Sequence, residues 1–222
     1  MNFSNTIEYI TGLFKKKKEE TTSTSSKEEQ PQALPTEILL NELDFSSYGL
    51  PIITNEDKPT NLLIVDDYDL TNVLFSNDFK AMTSEFNHNP NDDFKIYRCL
   101  NKNAGYQAWH LVSKLKTKID YALLDLTLGL VVKLPNGEFI DIDGAELACK
   151  ILEVNPEAKI LFVSAHTNNK ENYILKKYSS KLIHCGLDLY SNYCHKSSPD
   201  RYKTIHDFLY NDFLYNKVTT SC

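Results

Sequence analysis

The chain has 222 residues, 24 Lys and Arg against 30 Asp and Glu, a formal net charge of −6 and 41% hydrophobic residues. That length holds one ordinary domain with extensions, or two small ones, and the acidic balance excludes a general nucleic-acid binder, which needs a basic face for phosphates. No apolar run approaches the roughly 18 residues that a membrane-spanning helix needs.

Phe3, Ile7, Ile10 and Phe14 recur at helical steps and predict a short amphipathic helix. Lys15, Lys16, Lys17 and Lys18 come after these apolar residues, the reverse of a secretory signal. The combination suits peripheral contact of residues 1–18 with an anionic membrane, each lysine contributing on the order of 1 kcal/mol near such a surface. The alternatives are a helix that docks on a partner or on the domain itself, or a segment that stays frayed, and Glu19 and Glu20 offset part of the charge. Residues 21–35 read as a flexible linker. TEILLNEL (36–43) is a second short helical signal with Thr36 as its N-cap. A loop with Gly49-Leu50-Pro51 and the polar stretch TNEDKPTN complete an N-terminal extension of residues 1–60.

From residue 61 strands and helices alternate. LLIVD (62–66), FKIYRC (94–99), YALLD (121–125) and KILFVS (159–164) are apolar runs of strand type, and a fifth strand is expected within 187–195. Helical periods lie between them at 69–85, 103–114, 143–153 and 169–182. Asp143 and Glu146 form a D-x-x-E capping box for the third. The last helix is expected to start at Ser198-Pro199, with Tyr202, Ile205, Leu209 and Phe213 on its apolar face and His206 at the surface. The pattern predicts an α/β fold: a five-stranded parallel sheet, doubly wound, covered on both faces. It occupies residues 61–217, with a tail at 218–222. The five cysteines (Cys99, Cys149, Cys185, Cys194, Cys222) are odd in number and irregularly spaced, which fits reduced thiols in a cytoplasmic protein. The adjacent pairs His184/Cys185 and Cys194/His195 lack zinc spacing.

In an open parallel sheet, ligands sit outside the carboxyl ends of the strands. Those ends carry Asp66-Asp67, Asp125, Ser164-Ala165 and Lys196. Three carboxylates on one edge repel one another and are best held by a divalent cation, and all-oxygen ligation favours Mg²⁺ or Mn²⁺. One carboxylate could then attack phosphorus, with the lysine and hydroxyl neutralising the phosphoryl oxygens.

This order of residues resembles the receiver domain of two-component response regulators, with a CheY-like (flavodoxin-like) fold. The matching pieces are LLIVDD (62–67), YALLDLTLG (121–129), DGAELA (143–148), ILFVSA (160–165) and YCHKS (193–197). The resemblance implies Asp125 as the phosphoacceptor, and Mg²⁺ held by Asp66, Asp67, Asp125 and the backbone carbonyl of Thr127. It implies Ser164 and Lys196 as phosphoryl-binding groups and Tyr193 as a rotating aromatic switch. Thr127 and His166 stand where receivers tune access of water to the acyl phosphate. Implied partners are a sensor histidine kinase or histidine phosphotransfer protein and a downstream protein. Only a few residues follow the last helix, so no DNA-binding output module is expected. The chain departs from the pattern in three places. VVKLPNGEFIDI (131–142) replaces a short loop and reads as an inserted β-hairpin around Pro-Asn-Gly. The stretch from Ser164 to Lys196 is long. Ser197 stands where a proline is usual.

Two other readings compete. LIVDDYDLT resembles the first motif of haloacid-dehalogenase-like phosphatases, with Asp67 as nucleophile, Asp69 as acid and Thr71 as its last residue, but the late acidic motif is missing and Asp125 is left without a role. A pseudo-receiver scaffold would need no phosphorylation, although every site residue is present by type.

Overall fold

The computed structural model describes residues 45–68, 71–133, 139–166 and 173–219. The expected N-terminal helix, lysine run, linker and TEILLNEL segment lie outside the described residues, as do Asp69, the tip of the hairpin and residues 220–222. The described residues all fall within one compact unit, Pro35–Cys222.

In chain order the strands are β1 (Ile52–Thr54), β2 (Asn61–Val65), β3 (Lys95–Cys99), β4 (Tyr121–Leu124), β5 (Leu130–Lys133), β6 (Phe139–Ile142), β7 (Lys159–Ser164) and β8 (Tyr193–His195). The helices are α1 (Thr71–Phe86), α2 (Pro90–Asp93), α3 (Ala104–Trp109), α4 (Gly144–Val154), α5 (Tyr173–Ile183) and α6 (Arg201–Thr219). The main sheet runs β1-β3-β2-β4-β7-β8. Every pairing in it is parallel except β1 with β3. Counting the parallel strands alone, the order is 2-1-3-4-5, that of the flavodoxin-like doubly wound sheets.

The apolar runs explain the layering. Successive side chains of a strand point to opposite faces. Leu63, Val65, Leu124 and Phe162 pack with Ala108, Trp109, Leu147, Ala148, Leu175 and Leu182 on one face. Leu62, Ile64, Leu123 and Leu161 pack with Phe75, Phe79, Met82, Ile205 and Leu209 on the other. Truncating one of these buried leucines to alanine costs about 2–5 kcal/mol. No described helix is long and apolar enough to cross a membrane.

The structure corrects several sequence expectations. The sheet has a sixth, antiparallel edge strand, Ile52–Thr54, and Phe45 is buried in the core. The fold therefore begins before residue 60. A three-residue strand flanked by polar loops gives no periodic signal. The last helix starts at Arg201: the Arg201 N–H donates to the Ser198 carbonyl in the turn before it, and the Asp200 carbonyl accepts the Lys203 and Thr204 N–H groups of the first helical turn. His206 is buried, not exposed: its ring stacks on Phe86 at 3.9 Å and its Nε2 lies 2.9 Å from His88 Nδ1. Around it, Arg201 donates twice to Asp78 at 2.8 Å, Tyr202 donates to Glu85 at 2.5 Å and Tyr210 to Asp93 at 2.7 Å, fastening α6 to α1 and α2.

The cysteines are the remaining correction. Cys149, on α4, and Cys185, in the turn after α5, form a disulfide across 36 residues with Cα atoms 5.6 Å apart. The packing of α4 against α5 creates that juxtaposition, which no sequence spacing reveals. The hairpin is as expected: β5 and β6 pair antiparallel, with Val132 and Ile142 buried and Val131 and Phe139 more than half exposed. Asp143 caps α4, its Oδ1 accepting from the Glu146 N–H at 2.9 Å.

Candidate functional site

The parallel ladder continues one residue past the strands and aligns their tips. Asp66 N–H donates to the Cys99 carbonyl at 3.0 Å, Asp125 N–H to Val65 at 2.9 Å, and Lys196 N–H to Ser164 at 2.8 Å. The side chains of Asp66, Asp125 and Lys196 thus leave the sheet on one edge. Lys196 Nζ lies 2.5 Å from Asp66 Oδ2 and 2.6 Å from Asp125 Oδ2. Asp66, Asp67 and Asp125 each offer an oxygen within 4.8 Å of the others.

Electrostatics follow from three carboxylates sharing one ammonium. Burial raises the Asp66 carboxyl above its ordinary value by more than the Lys196 hydrogen bond and charge lower it, and the charge of Asp125 adds a smaller rise. Asp67 is raised as well, by burial and then by Asp125. Burial alone would lower Lys196, but Asp125 and Asp66 together hold its ammonium above the usual range. Burial, with the charge of Asp125, pushes the Tyr193 hydroxyl up to about 12.

The surrounding backbone is shaped to this cluster. Asp66 Oδ1 accepts the Tyr68 N–H at 3.0 Å, which turns the chain after β2. Gly129 has φ +60, and a Cβ there would stand 3.2 Å from Asp67 Oδ2. The hairpin therefore starts in contact with the acidic cluster. Ser164 is buried, and its carbonyl also accepts the Tyr193 hydroxyl at 3.2 Å. The same hydroxyl donates to the carbonyl of His166. Thr127 Oγ1 and His166 Nε2 are 2.8 Å apart, joining the loops after β4 and β7. The structure thus brings together Asp66, Asp67, Asp125 and Lys196 directly, and places Ser164 at the end of β7, Tyr193 at the start of β8, and Thr127 and His166 on the loops beside them.

Of the residues in the phosphatase-like motif, Asp69 lies outside the described residues and Thr71 opens α1 with its Oγ1 unpartnered. Lys196 pairs with Asp66 and Asp125.

Sequence reasoning missed three supporting groups. Gly144, the first residue of α4, donates its N–H to the Leu126 carbonyl and packs against the Asp125 backbone. Arg201 donates to the Lys196 carbonyl while it grips Asp78. Lys181, on α5, donates to Asp143 at 2.7 Å and to Glu146 at 3.3 Å. The Asp-Gly pair at 143–144 carried a detectable signal, but only as a helix start.

Three acidic tips, a lysine tip and the parallel order 2-1-3-4-5 now stand on one sheet edge. The fold is the flavodoxin-like, CheY-like doubly wound sheet. No family model matches the chain, and no curated protein matches it in sequence. Among solved structures, a response regulator from Thermotoga maritima is 16% identical over 67% of this chain and 96% of its own, with a TM-score of 0.39. The CheX-CheY-BeF3-Mg²⁺ complex from Borrelia burgdorferi aligns at 18% identity over 72% of this chain and 95% of the other, with a TM-score of 0.41. A CheY-like receiver domain protein from Methanospirillum hungatei JF-1 aligns at 19% over 72% and 98%, with a TM-score of 0.40. The flavodoxin-like fold is read from the strand order, to which such distant likenesses add no weight.

The donor set fits a hard divalent cation. Asp66, Asp67 and Asp125 offer carboxylate oxygens within 4.8 Å of one another, and their charge exceeds what Lys196 balances.

Proposed function

We propose that this chain is a phosphoacceptor receiver of a two-component phosphorelay. Asp125 would take its phosphoryl group from a phosphohistidine of a sensor histidine kinase or a histidine phosphotransfer protein. The observation that carries this reading is the Lys196 ammonium held against Asp125 within a group of three carboxylates. A buried edge of that kind is costly unless its charge is used.

In the proposed reaction an Asp125 carboxylate oxygen attacks phosphorus. An O–P bond forms, the donor's N–P bond breaks, and the imidazole nitrogen leaves with the bonding pair. Lys196, already on Asp125 Oδ2, balances charge on the phosphoryl oxygens. Ser164 supplies a hydroxyl to one of those oxygens. Asp66, Asp67, Asp125 and the Thr127 carbonyl would hold Mg²⁺ or Mn²⁺. When bound, the cation neutralises charge that builds up on the transferring group. The acyl phosphate is then lost by hydrolysis, so the chemistry is self-phosphorylation and self-dephosphorylation, not turnover of a substrate pool. Movement of the Ser164–His166 loop breaks the Tyr193 hydroxyl bonds to that loop, which makes Tyr193 the switch. Output runs through protein contacts, for which the exposed Val131 and Phe139 of the hairpin offer apolar surface beside the site.

Acetyl phosphate with Mg²⁺ tests the reading. Intact-mass analysis should show a gain of one phosphoryl group that disappears in Asp125→Asn and survives mild acid but not hydroxylamine. Label on Asp67 instead would favour the phosphatase-like reading. No label under conditions that phosphorylate an ordinary receiver would favour the scaffold.

A further inference from the structure

Cys149 and Cys185 are both half-buried, so their bond is within reach of a small thiol. Cys99 and Cys194 are buried and free of disulfides, and burial raises both thiols above their usual range. Among the described cysteines, the Cys149–Cys185 pair is therefore the one open to exchange.

The pair sits where it can act on the site. Helix α5 is fastened to α4 at two places, by the disulfide and by the Lys181 bonds to Asp143 and Glu146. Asp143 and Gly144 in turn open α4 against the backbone of Asp125 and Leu126. In sequence, α5 also follows the Ser164–His166 segment that the Tyr193 hydroxyl holds. A tie on α5 thus limits how that segment can yield when a phosphoryl group arrives on Asp125.

We propose that Cys149–Cys185 is a reversible redox modification site that sets the freedom of α5 and, through it, the ease with which the site takes its phosphorylated form. The second half of this inference rests on the phosphoacceptor reading above. The oxidant is a small-molecule disulfide of the glutathione class. One cysteine thiolate attacks it and forms a mixed disulfide, releasing one thiol. The other cysteine displaces the second thiol and closes the Cys149–Cys185 bond. Two protein thiols lose two electrons and two protons, and the small disulfide is reduced to two thiols. A small dithiol or excess small thiol reverses the step.

The test uses the full chain in oxidised and reduced glutathione buffers, beside a Cys149→Ala/Cys185→Ala variant. Alkylation and non-reducing peptide mapping should find one linked peptide in the oxidised form and none in the reduced form. Amide exchange in residues 173–183 should quicken about tenfold on reduction, the sign of a segment with a lower opening cost. Beryllofluoride, used with Mg²⁺ as the phosphoryl mimic, should bind the reduced form about threefold tighter. The variant should match the reduced protein in both buffers. Should it fold poorly, the wild-type comparison alone decides. Absence of the linked peptide in oxidised glutathione, or equal exchange in both forms, overturns the proposal. Beryllofluoride bound equally by both forms overturns the coupling and leaves the phosphoacceptor reading standing. Beryllofluoride bound by neither overturns that reading, and the coupling with it.

Discussion

Gly144 and Asp125 meet with no room between them: a Cβ on Gly144 would stand 2.0 Å from the Asp125 carbonyl oxygen. The obstacle is backbone, which cannot swing aside as a side-chain end would. Gly144→Ala should therefore push α4 off the strand tip, although alanine is the better helix former. Overpacking of this kind costs about 1–3 kcal/mol, which for a chain of this size lowers the melting temperature by roughly 2–4 °C per kcal/mol. Thermal unfolding measures the loss, and acetyl phosphate labelling of Asp125 should slow with it.

Asp66 and Asp67 titrate above the ordinary carboxylate value of 3.8. Between that value and their raised ones, the folded chain binds more protons than the unfolded chain. Their contribution to stability is thus fully present below 3.8 and is lost as pH rises through the raised values. Added Mg²⁺ favours the ionised forms. Its stabilising effect should grow from about pH 4 to about pH 7, with protons released on binding. Melting curves with and without Mg²⁺ across that range provide the check. Asp67→Asn should raise the metal-free melting temperature by about 2 °C and remove most of the response to Mg²⁺.

Among the described residues, Lys196 is the cation that bridges the two buried carboxylates Asp66 and Asp125. Replacing it with methionine keeps the bulk and removes the charge. Breaking a buried ion pair from one side costs about 3–5 kcal/mol. Lys196→Met should lose stability of that order without Mg²⁺ and recover part of it with Mg²⁺. A urea midpoint that is unmoved in metal-free buffer would sink this account of the site.

Arg201 holds Asp78 by two bonds and the Lys196 carbonyl by a third. Arg201→Gln leaves Asp78 buried without its cation, again at about 3 kcal/mol. Arg201→Lys should rescue little, since an ammonium cannot reproduce the fork. Urea unfolding of the two variants, with phosphorylation assays alongside, separates a loss of fold from a shifted Lys196.

The parts of the fold that were legible are those with strong local pattern. Leu62 to Val65 and Ile160 to Val163 are continuous apolar runs because both sheet faces are covered. Once those strands are ordered, Asp66, Asp125 and Lys196 fall on one edge by counting. What stayed hidden depends on partners distant in sequence. Ile52–Thr54 is a strand only because β3 lies beside it. His206 is buried because Phe86 and His88 cover it. Cys149 finds Cys185, and Arg201 finds Asp78, only after helices pack. Gly144 read as the start of a helix, while its close approach to Asp125 is a tertiary fact.

The bonds that pin α6 to α1 and α2 divide the domain unevenly. Asp78, Glu85, Phe86, His88 and Asp93 together engage Arg201, Tyr202, His206 and Tyr210 along the first three turns of α6. A helix gripped at so many places has to travel with its neighbour or stay put. In the opposite layer α5 is tied to α4 by the Lys181 ion pairs and by a disulfide that chemistry can cut. With that bond open, strain arriving at the strand tips has its outlet there, so one side of the molecule serves as anvil and the other as hinge.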